Sequence, residues 1–158
     1  ASGVRGIRLQ NEKTDEVIGM IAVDDLSHDI LVVSENGYGK RSSLEDYRIT
    51  NRGGKGVKTI SITEKTGNLV AIKEVSDNDD LMIINKSGIA IRMAVEDLRV
   101  MGRATQGVKL INLKNDDSIA AVAKVMHDDD EIEDVEDAIE LEDGTTLDIN
   151  EDDNKNED

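Results

Sequence analysis

The residues best suited to chemistry lie in the segment TNRGGKGVK, residues 50–58, which places three glycines and three cations within nine positions. Glycine lets a backbone turn tightly and approach a ligand closely, and the cations would attract an anion. A nucleotide-binding loop needs four residues between its first glycine and a Gly-Lys pair, followed by Ser or Thr at the start of a helix. Here Lys55 is followed by Gly56 and then by an alternating, strand-like pattern. The spacing therefore argues against nucleotide binding.

Other catalytic or metal-binding groupings do not stand out. The two histidines, His28 and His127, lie in acidic segments without metal-ligand spacing, so we expect both to be solvated. The acidic runs at 77–80 and 128–130 lack the oxygen-rich pattern of an EF-hand. The chain contains no Cys, which excludes disulfides and thiolate metal sites and favours a reducing cytosol. We predict no catalytic residue, no metal site and no membrane span.

The cation-rich segment recurs along the chain. Residues 29–62 align without a gap to residues 80–113, at an offset of 51 (80 − 29). The aligned pairs include Gly37 with Gly88, Arg41 with Arg92, Arg52 with Arg103, Gly56 with Gly107 and Lys58 with Lys109. An earlier copy, GVRGIRL at residues 3–9, precedes GVKTISI by 53 positions (56 − 3). A catalytic loop would not be expected once per repeat, whereas evenly placed cations suit a long polyanion such as duplex DNA.

The elements that must position these cations are short strands. The apolar runs at 30–33 and 81–84 each end in a turn signal, Asn-Gly or Ser-Gly, and residues 58–63 alternate isoleucine with polar residues. Another turn at 66–68 precedes the run LVAI. The segments LEDYRI and VEDLRV could be short helical turns. About four strands in each unit of roughly 50 residues is typical of a propeller blade. We therefore predict an all-β, propeller-like partial disc over residues 1–126.

The net charge of −16 is confined to the last part of the chain. Residues 1–126 carry 18 Lys/Arg and 18 Asp/Glu, whereas residues 127–158 carry 17 acids and one base, Lys155. We expect residues 127–158 to be a largely disordered acidic tail. Such a tail could act only as a solubilising segment, or it could compete with DNA for the basic surface of the body.

Several of these segments together resemble one family. The runs SGVRGIRL, NGYGKRSSLEDY, NRGGKGVKTISITEKTG and GRATQGVKLI, followed by an acidic C-terminus, are similar to the last blades of the C-terminal domain of the bacterial DNA gyrase A subunit. The resemblance implies a β-pinwheel, a disc of about six blades that exchange strands with their neighbours. Residues 51–56 are only a shortened version of the family's signature box, Gln-Arg-Arg-Gly-Gly-Lys-Gly, which lies in the first blade.

The resemblance also implies a function and a set of site residues. It implies a non-catalytic module that wraps duplex DNA on a basic rim, so that an ATP-dependent complex of two A and two B subunits can introduce negative supercoils. The catalytic tyrosine, the ATPase and their ATP and Mg²⁺ would lie elsewhere, and the location would be cytoplasmic. The implied DNA-binding residues are Lys40, Arg41, Arg52, Lys55, Arg92 and Arg103, then Arg5, Lys58 and Lys109. The equivalent domain of topoisomerase IV and a protein-binding β-propeller remain alternatives.

Overall fold

The computed structural model describes residues 2–114 and 116–126, which form two antiparallel β-sheets. The strands are β1 (Asp29–Ser34), β2 (Tyr38–Ser43), β3 (Leu69–Val75), β4 (Asp79–Asn85), β5 (Ala90–Ala94), β6 (Val108–Lys109) and β7 (Ile119–Met126). A single 3₁₀ turn, Leu44–Asp46, follows β2, and no α-helix occurs in the described residues. The all-β prediction is confirmed. The predicted acidic tail, residues 127–158, lies outside the part of the chain that the structure describes.

Each complete repeat builds the centre of one sheet. The first sheet has the order β3-β1-β2-β6 and the second the order β5-β4-β7. The runs at 30–33 and 81–84 are the central strands, as predicted, and the turns after them lead into β2 and β5. Gly37 and Gly88 adopt φ angles of +80° and +88°, a backbone conformation that glycine accepts without steric cost.

The fourth strand of the first sheet comes from the other repeat. Residues Val108 and Lys109 of β6 pair with Gly39 and Tyr38 of β2, although β6 belongs to the second repeat in sequence. The backbone N–H of Met101 donates to the carbonyl of Arg41 at 2.7 Å, so the same segment follows the strand edge over some distance. This exchange between neighbouring repeats agrees with the pinwheel that the resemblance implied.

The main core lies between the two sheets. Leu31 and Val33 of β1 pack with Leu81 and Ile83 of β4, and all four side chains are completely buried. On the other face of β1, Ile30 and Val32 pack against Ile60, and partly buried residues from segments before and after β1 surround this cluster. Both faces of β1 are therefore covered, which explains an unbroken apolar run in a strand.

One predicted strand is absent. Residues 58–63 contain no strand, whereas residues 108–109, the repeat equivalents of residues 57–58, form β6. A strand requires a partner edge, and β2 supplies one for β6. Within the described residues, no earlier sheet offers the equivalent edge to residues 57–58. The alternation of residues 58–63 predicted a strand, but alternation within one segment cannot supply the partner that a strand needs.

Candidate nucleic-acid interface

The loop at residues 52–55 is held against the first repeat copy by two backbone hydrogen bonds. The N–H of Gly53 donates to the carbonyl of Gly6, and the N–H of Arg8 donates to the carbonyl of Gly54, each at 2.8 Å. Gly53 has a φ of +74°, so the turn that the glycines predicted is present. The loop therefore brings its cations next to those of residues 3–9.

The same contact occurs one repeat later. The N–H of Ala104 donates to the carbonyl of Thr59 at 3.1 Å, and the N–H of Ser61 donates to the carbonyl of Thr105 at 2.9 Å. These four residues are the repeat equivalents of Gly53, Gly6, Arg8 and Gly54, at the offsets of 51 and 53. Ala104 keeps a φ of +67° although it has a Cβ, which is an unfavourable conformation for residues other than glycine. The turn is thus retained even where glycine is lost.

Most of the predicted cations lie in or beside these two contacts, which we call the first junction (residues 52–55 with 6–8) and the second junction (residues 103–105 with 59–61). Five of the nine predicted residues have exposed side chains free of strong ion pairs: Arg5, Arg52, Lys55, Lys58 and Lys109. Arg5 lies 4.0 Å from Glu12, but both side chains are more than half exposed, so the pair is weak.

Arg103 lies at the second junction and is half-buried. Its Nη1 donates to the backbone carbonyl of Lys58 at 3.2 Å, which ties the 103–105 loop to the segment that carries Lys58. Its Nε is buried and has no hydrogen-bond partner among the described residues. The exposed end of the guanidinium, which carries Nη1, is the part of Arg103 that an anion could reach.

Lys40 does not lie on the surface where it was predicted. Its side chain is buried, and its Nζ donates to the carbonyl of Gly102 at 2.7 Å. Burial lowers the pKa of Lys40, because a charged ammonium loses its hydration there, and the nearby Asp46 partly opposes this effect. Lys40 therefore fastens the loop that carries Arg103 and is not presented to a ligand.

Arg41 is also internal. Its Nε lies 2.6 Å from Oδ2 of Asp29, its Nη1 lies 2.5 Å from Oδ1 of Asp77, and its side chain is almost wholly buried. Burial disfavours the charged guanidinium, but the hydrogen bonds to Asp77 and Asp29 outweigh this and raise the pKa of Arg41. Its repeat equivalent, Arg92, lies 2.5 Å from Asp80 with a partly exposed side chain. In both repeats this position links strands, so we omit Arg41 and Arg92 from the interface.

Two cations near the junctions were missed by the sequence analysis. Arg8 lines one surface pocket together with Lys55, and Arg48 lines another together with Arg52 and Lys55. Arg48 could have been found, because it aligns with Arg99 in the second repeat. Arg8 carried no such signal, since its aligned residue is a serine, Ser61.

Metal and membrane chemistry receive no support from the described residues. Among them there is no group of three or more His, Cys, Asp or Glu side chains placed to hold a metal ion. No helix in this part of the chain is long and apolar enough to cross a membrane. His28 was expected to be solvated, and this was wrong: it is half-buried, with Nδ1 3.2 Å from Oε1 of Glu74.

Comparison with known proteins identifies the family. The family model described as DNA gyrase C-terminal domain, beta-propeller, matches residues 1–24, 28–76 and 79–126. The chain is 49% identical over 146 residues to the A subunit of DNA gyrase from Staphylococcus aureus strain MRSA252, covering 92% of this chain and 16% of that protein. It is 50% identical over 129 residues to the same protein of strain NCTC 8325, covering 81% of this chain and 14% of that protein.

Solved structures agree on the fold. A DNA gyrase A C-terminal domain superposes with a TM-score of 0.59 at 30% identity, covering 62% of this chain and 33% of that one. The C-terminal domain of DNA topoisomerase IV superposes with a TM-score of 0.72 at 18% identity, covering 79% and 38%, which shows similarity of fold alone. The chain belongs to the family of DNA gyrase C-terminal β-propeller domains. It spans about one sixth of the length of the curated relatives that it matches.

Proposed function

We propose that this chain is a DNA-wrapping module that binds the phosphate backbone of duplex DNA without catalysing a reaction itself. The observation that carries the proposal is the repeated junction, in which the 52–55 loop contacts residues 6–8 and the 103–105 loop contacts residues 59–61. Each junction presents cations at the same place in successive repeats. A regular series of cations matches the regular spacing of phosphates and needs no base contacts.

The proposed contact set contains six residues. They are the predicted cations that are neither fully buried nor held in a strand-linking ion pair: Arg5, Arg52, Lys55, Lys58, Arg103 and Lys109. Phenylalanine and tryptophan are absent from the chain, which disfavours single-stranded nucleic acid, because single strands are commonly held by stacking on aromatic rings. Duplex DNA is therefore the preferred ligand.

The proposed function also involves a larger assembly. We propose that the module acts in a cytoplasmic complex of two A and two B subunits, which uses ATP and Mg²⁺ bound outside this chain to introduce negative supercoils. In that complex the module would guide duplex DNA around its rim, and the covalent chemistry would belong to other parts of the complex.

The acidic segment is proposed to regulate how tightly the module binds DNA. Residues 127–158 carry 17 acids and one base. We propose that they compete with DNA for the same cations, which requires close approach because charges are screened over about 8 Å at physiological salt. Deleting everything after Met126 should tighten binding to duplex DNA. Unchanged affinity would show that the segment does not compete.

The contact set is tested by removing charge in matched pairs. Arg52→Gln with Lys55→Gln removes two proposed contacts, and Lys86→Gln with Lys114→Gln removes two exposed cations outside the set. At 0.1 M salt, each phosphate contact accounts for about 0.9 decade of affinity, so the first pair should weaken binding roughly 60-fold. The second pair should change affinity much less. Equal losses in the two double variants would show that binding depends only on overall charge.

A further inference from the structure

Tyr38, at the start of β2, adjoins two lysines. The Nζ atom of Lys65 lies over the Tyr38 ring, 5.3 Å from its centroid. Tyr38 also pairs across strands with Lys109 of β6. The flanking hydrogen bond from the N–H of Leu110 to the carbonyl of Gly37, at 2.8 Å, makes this the closer type of antiparallel pair, with both side chains on one face and Cβ atoms about 5 Å apart. The three side chains form one group, which we call the tyrosine cluster.

The turn that carries Lys65 is fastened to the hairpin between β1 and β2. Nδ2 of Asn36, in that hairpin, donates to the backbone carbonyls of Glu64 and Lys65 at 3.1 and 3.2 Å. Within the turn, the N–H of Gly67 donates to the carbonyl of Thr63 at 2.9 Å. The backbone of Lys65 is therefore fixed beside the start of β2, and its side chain needs only a short reach to the ring.

Neither lysine of the tyrosine cluster is neutralised by a carboxylate in the part of the chain that the structure describes. Within residues 2–114 and 116–126, neither Lys65 nor Lys109 forms a salt bridge, and both residues are exposed. Neighbouring ammonium groups repel each other, and an anion beside both of them relieves the repulsion. The cluster therefore favours an anionic ligand.

The tyrosine cluster lies beside the second junction. Tyr38 and Lys40 are two residues apart on β2, so their side chains share one face of the strand. Nζ of Lys40 donates to the backbone of the loop that carries Arg103. Lys109 follows that loop along the chain and belongs to the proposed contact set. Lys65 thus extends a series of cations that already includes Arg103 and Lys109.

We propose that Lys65 is a further phosphate contact for duplex DNA, and that Tyr38 is a positioning residue that holds the Lys65 ammonium near Lys109. This inference rests on the proposed function. Cation–π attraction to the ring restricts a flexible lysine side chain before binding, so less conformational freedom is lost when a phosphate is bound. In the second repeat Ile89 replaces Tyr38, so the two repeats would contribute unequally to DNA binding.

Removal of the Lys65 charge tests the contact. In the folded full chain, Lys65→Gln should weaken binding to a duplex of about 40 base pairs by about 8-fold at 0.1 M salt, and make the slope of log K against log salt shallower by about 0.9. Lys86→Gln removes an exposed cation outside the cluster and should change both much less. If the parent chain binds but the two variants behave alike, this inference is refuted and the proposed function stands. No binding by the parent chain would refute both.

Two substitutions of Tyr38 separate the ring from its hydroxyl. Tyr38→Phe keeps a ring under Lys65 and should keep the affinity, whereas Tyr38→Leu removes the ring and should weaken binding about 2- to 5-fold. In the Lys65→Gln background, Tyr38→Leu should have no further effect. Equal losses in the Phe and Leu variants would show that the hydroxyl itself contacts DNA. A loss that persists in the Lys65→Gln background would show that Tyr38 does not act through Lys65, so either result overturns the positioning role.

Chemical acetylation of the lysines provides an independent readout that requires no substitution. Bound duplex should slow the reaction of an amine-acetylating reagent with Lys65 and Lys109, as followed for each lysine by mass spectrometry, and leave the exposed Lys86 reactive. A residue that only stabilises the fold would not be protected in this way. If Lys65 reacted at the same rate with and without bound duplex, the proposed contact would be refuted.

Discussion

Replacing Lys40 with methionine distinguishes a residue that positions the interface from one that contacts DNA. The substitution keeps an unbranched side chain of similar length but removes the ammonium that donates to the carbonyl of Gly102. A buried hydrogen bond to a charged group contributes about 1.5–3 kcal/mol, and release of the buried charge offsets part of this. We expect the free energy of unfolding to fall by about 1–2 kcal/mol in urea titrations.

The effect on DNA binding follows from the loop that Lys40 holds. Once Gly102 is released, Arg103 should no longer be held beside Lys58, so one phosphate contact is lost. Losing one contact should weaken binding about 8-fold at 0.1 M salt and make the slope of log K against log salt shallower by about 0.9.

A double-mutant cycle tests this reasoning directly. Lys40→Met should weaken binding in the parent chain but have little further effect in an Arg103→Ala background. Combined with Lys55→Ala, which lies at the other junction, the effects of the two substitutions on log K should add. If Lys40→Met weakened binding equally in the Arg103→Ala background, Lys40 would itself contact DNA and its assignment as a positioning residue would be wrong.

Three further substitutions test the structure around the interface. Arg41→Met should lower the free energy of unfolding by about 3–5 kcal/mol, as measured by urea denaturation, because it leaves the buried carboxylate of Asp29 without its arginine. Gly39→Ala places a methyl group against the exchanged segment and should destabilise by about 1–3 kcal/mol in the same assay. The hydroxyl of Ser87 lowers the pKa of Asp117, so Ser87→Ala should raise that pKa toward its ordinary value of 3.8, as followed by NMR titration. Because the folded-state pKa is the lowered one, the carboxylate stabilises the fold above its ordinary pKa, and this stabilisation is lost as pH falls through the folded-state value.

Repeat alignment and hydrophobic pattern were sufficient to predict the body of the fold. The apolar runs at 30–33 and 81–84 form central strands, and the predicted turns after them are present, with their glycines at positive φ. Alternation at 58–63 predicted a strand, which is absent because the segment has no ladder partner in the described residues. Pairing is a property of two segments, so a pattern in one of them cannot establish it.

The cations of the interface were predicted only in part, because the exposure of a residue also depends on other segments of the chain. Sequence places Lys40 and Arg41 beside glycine in a hairpin, which is typical of an exposed turn. Both are buried because a segment of the neighbouring repeat packs against β2. Arg41 also pairs with Asp29 and Asp77, which come from separate parts of the chain. Lys55, in contrast, lies on a loop and is exposed, as predicted.

The most direct test of the proposed function is a binding isotherm of the folded chain on a duplex of about 40 base pairs, measured over a range of salt concentrations. Six phosphate contacts at roughly 0.9 each predict a slope of log K against log salt near −5. A steep slope of this size, reduced by about 1.8 in the Arg52→Gln, Lys55→Gln variant, would support a backbone-binding rim. A slope shallower than about −2, or no binding by the folded chain, would contradict it.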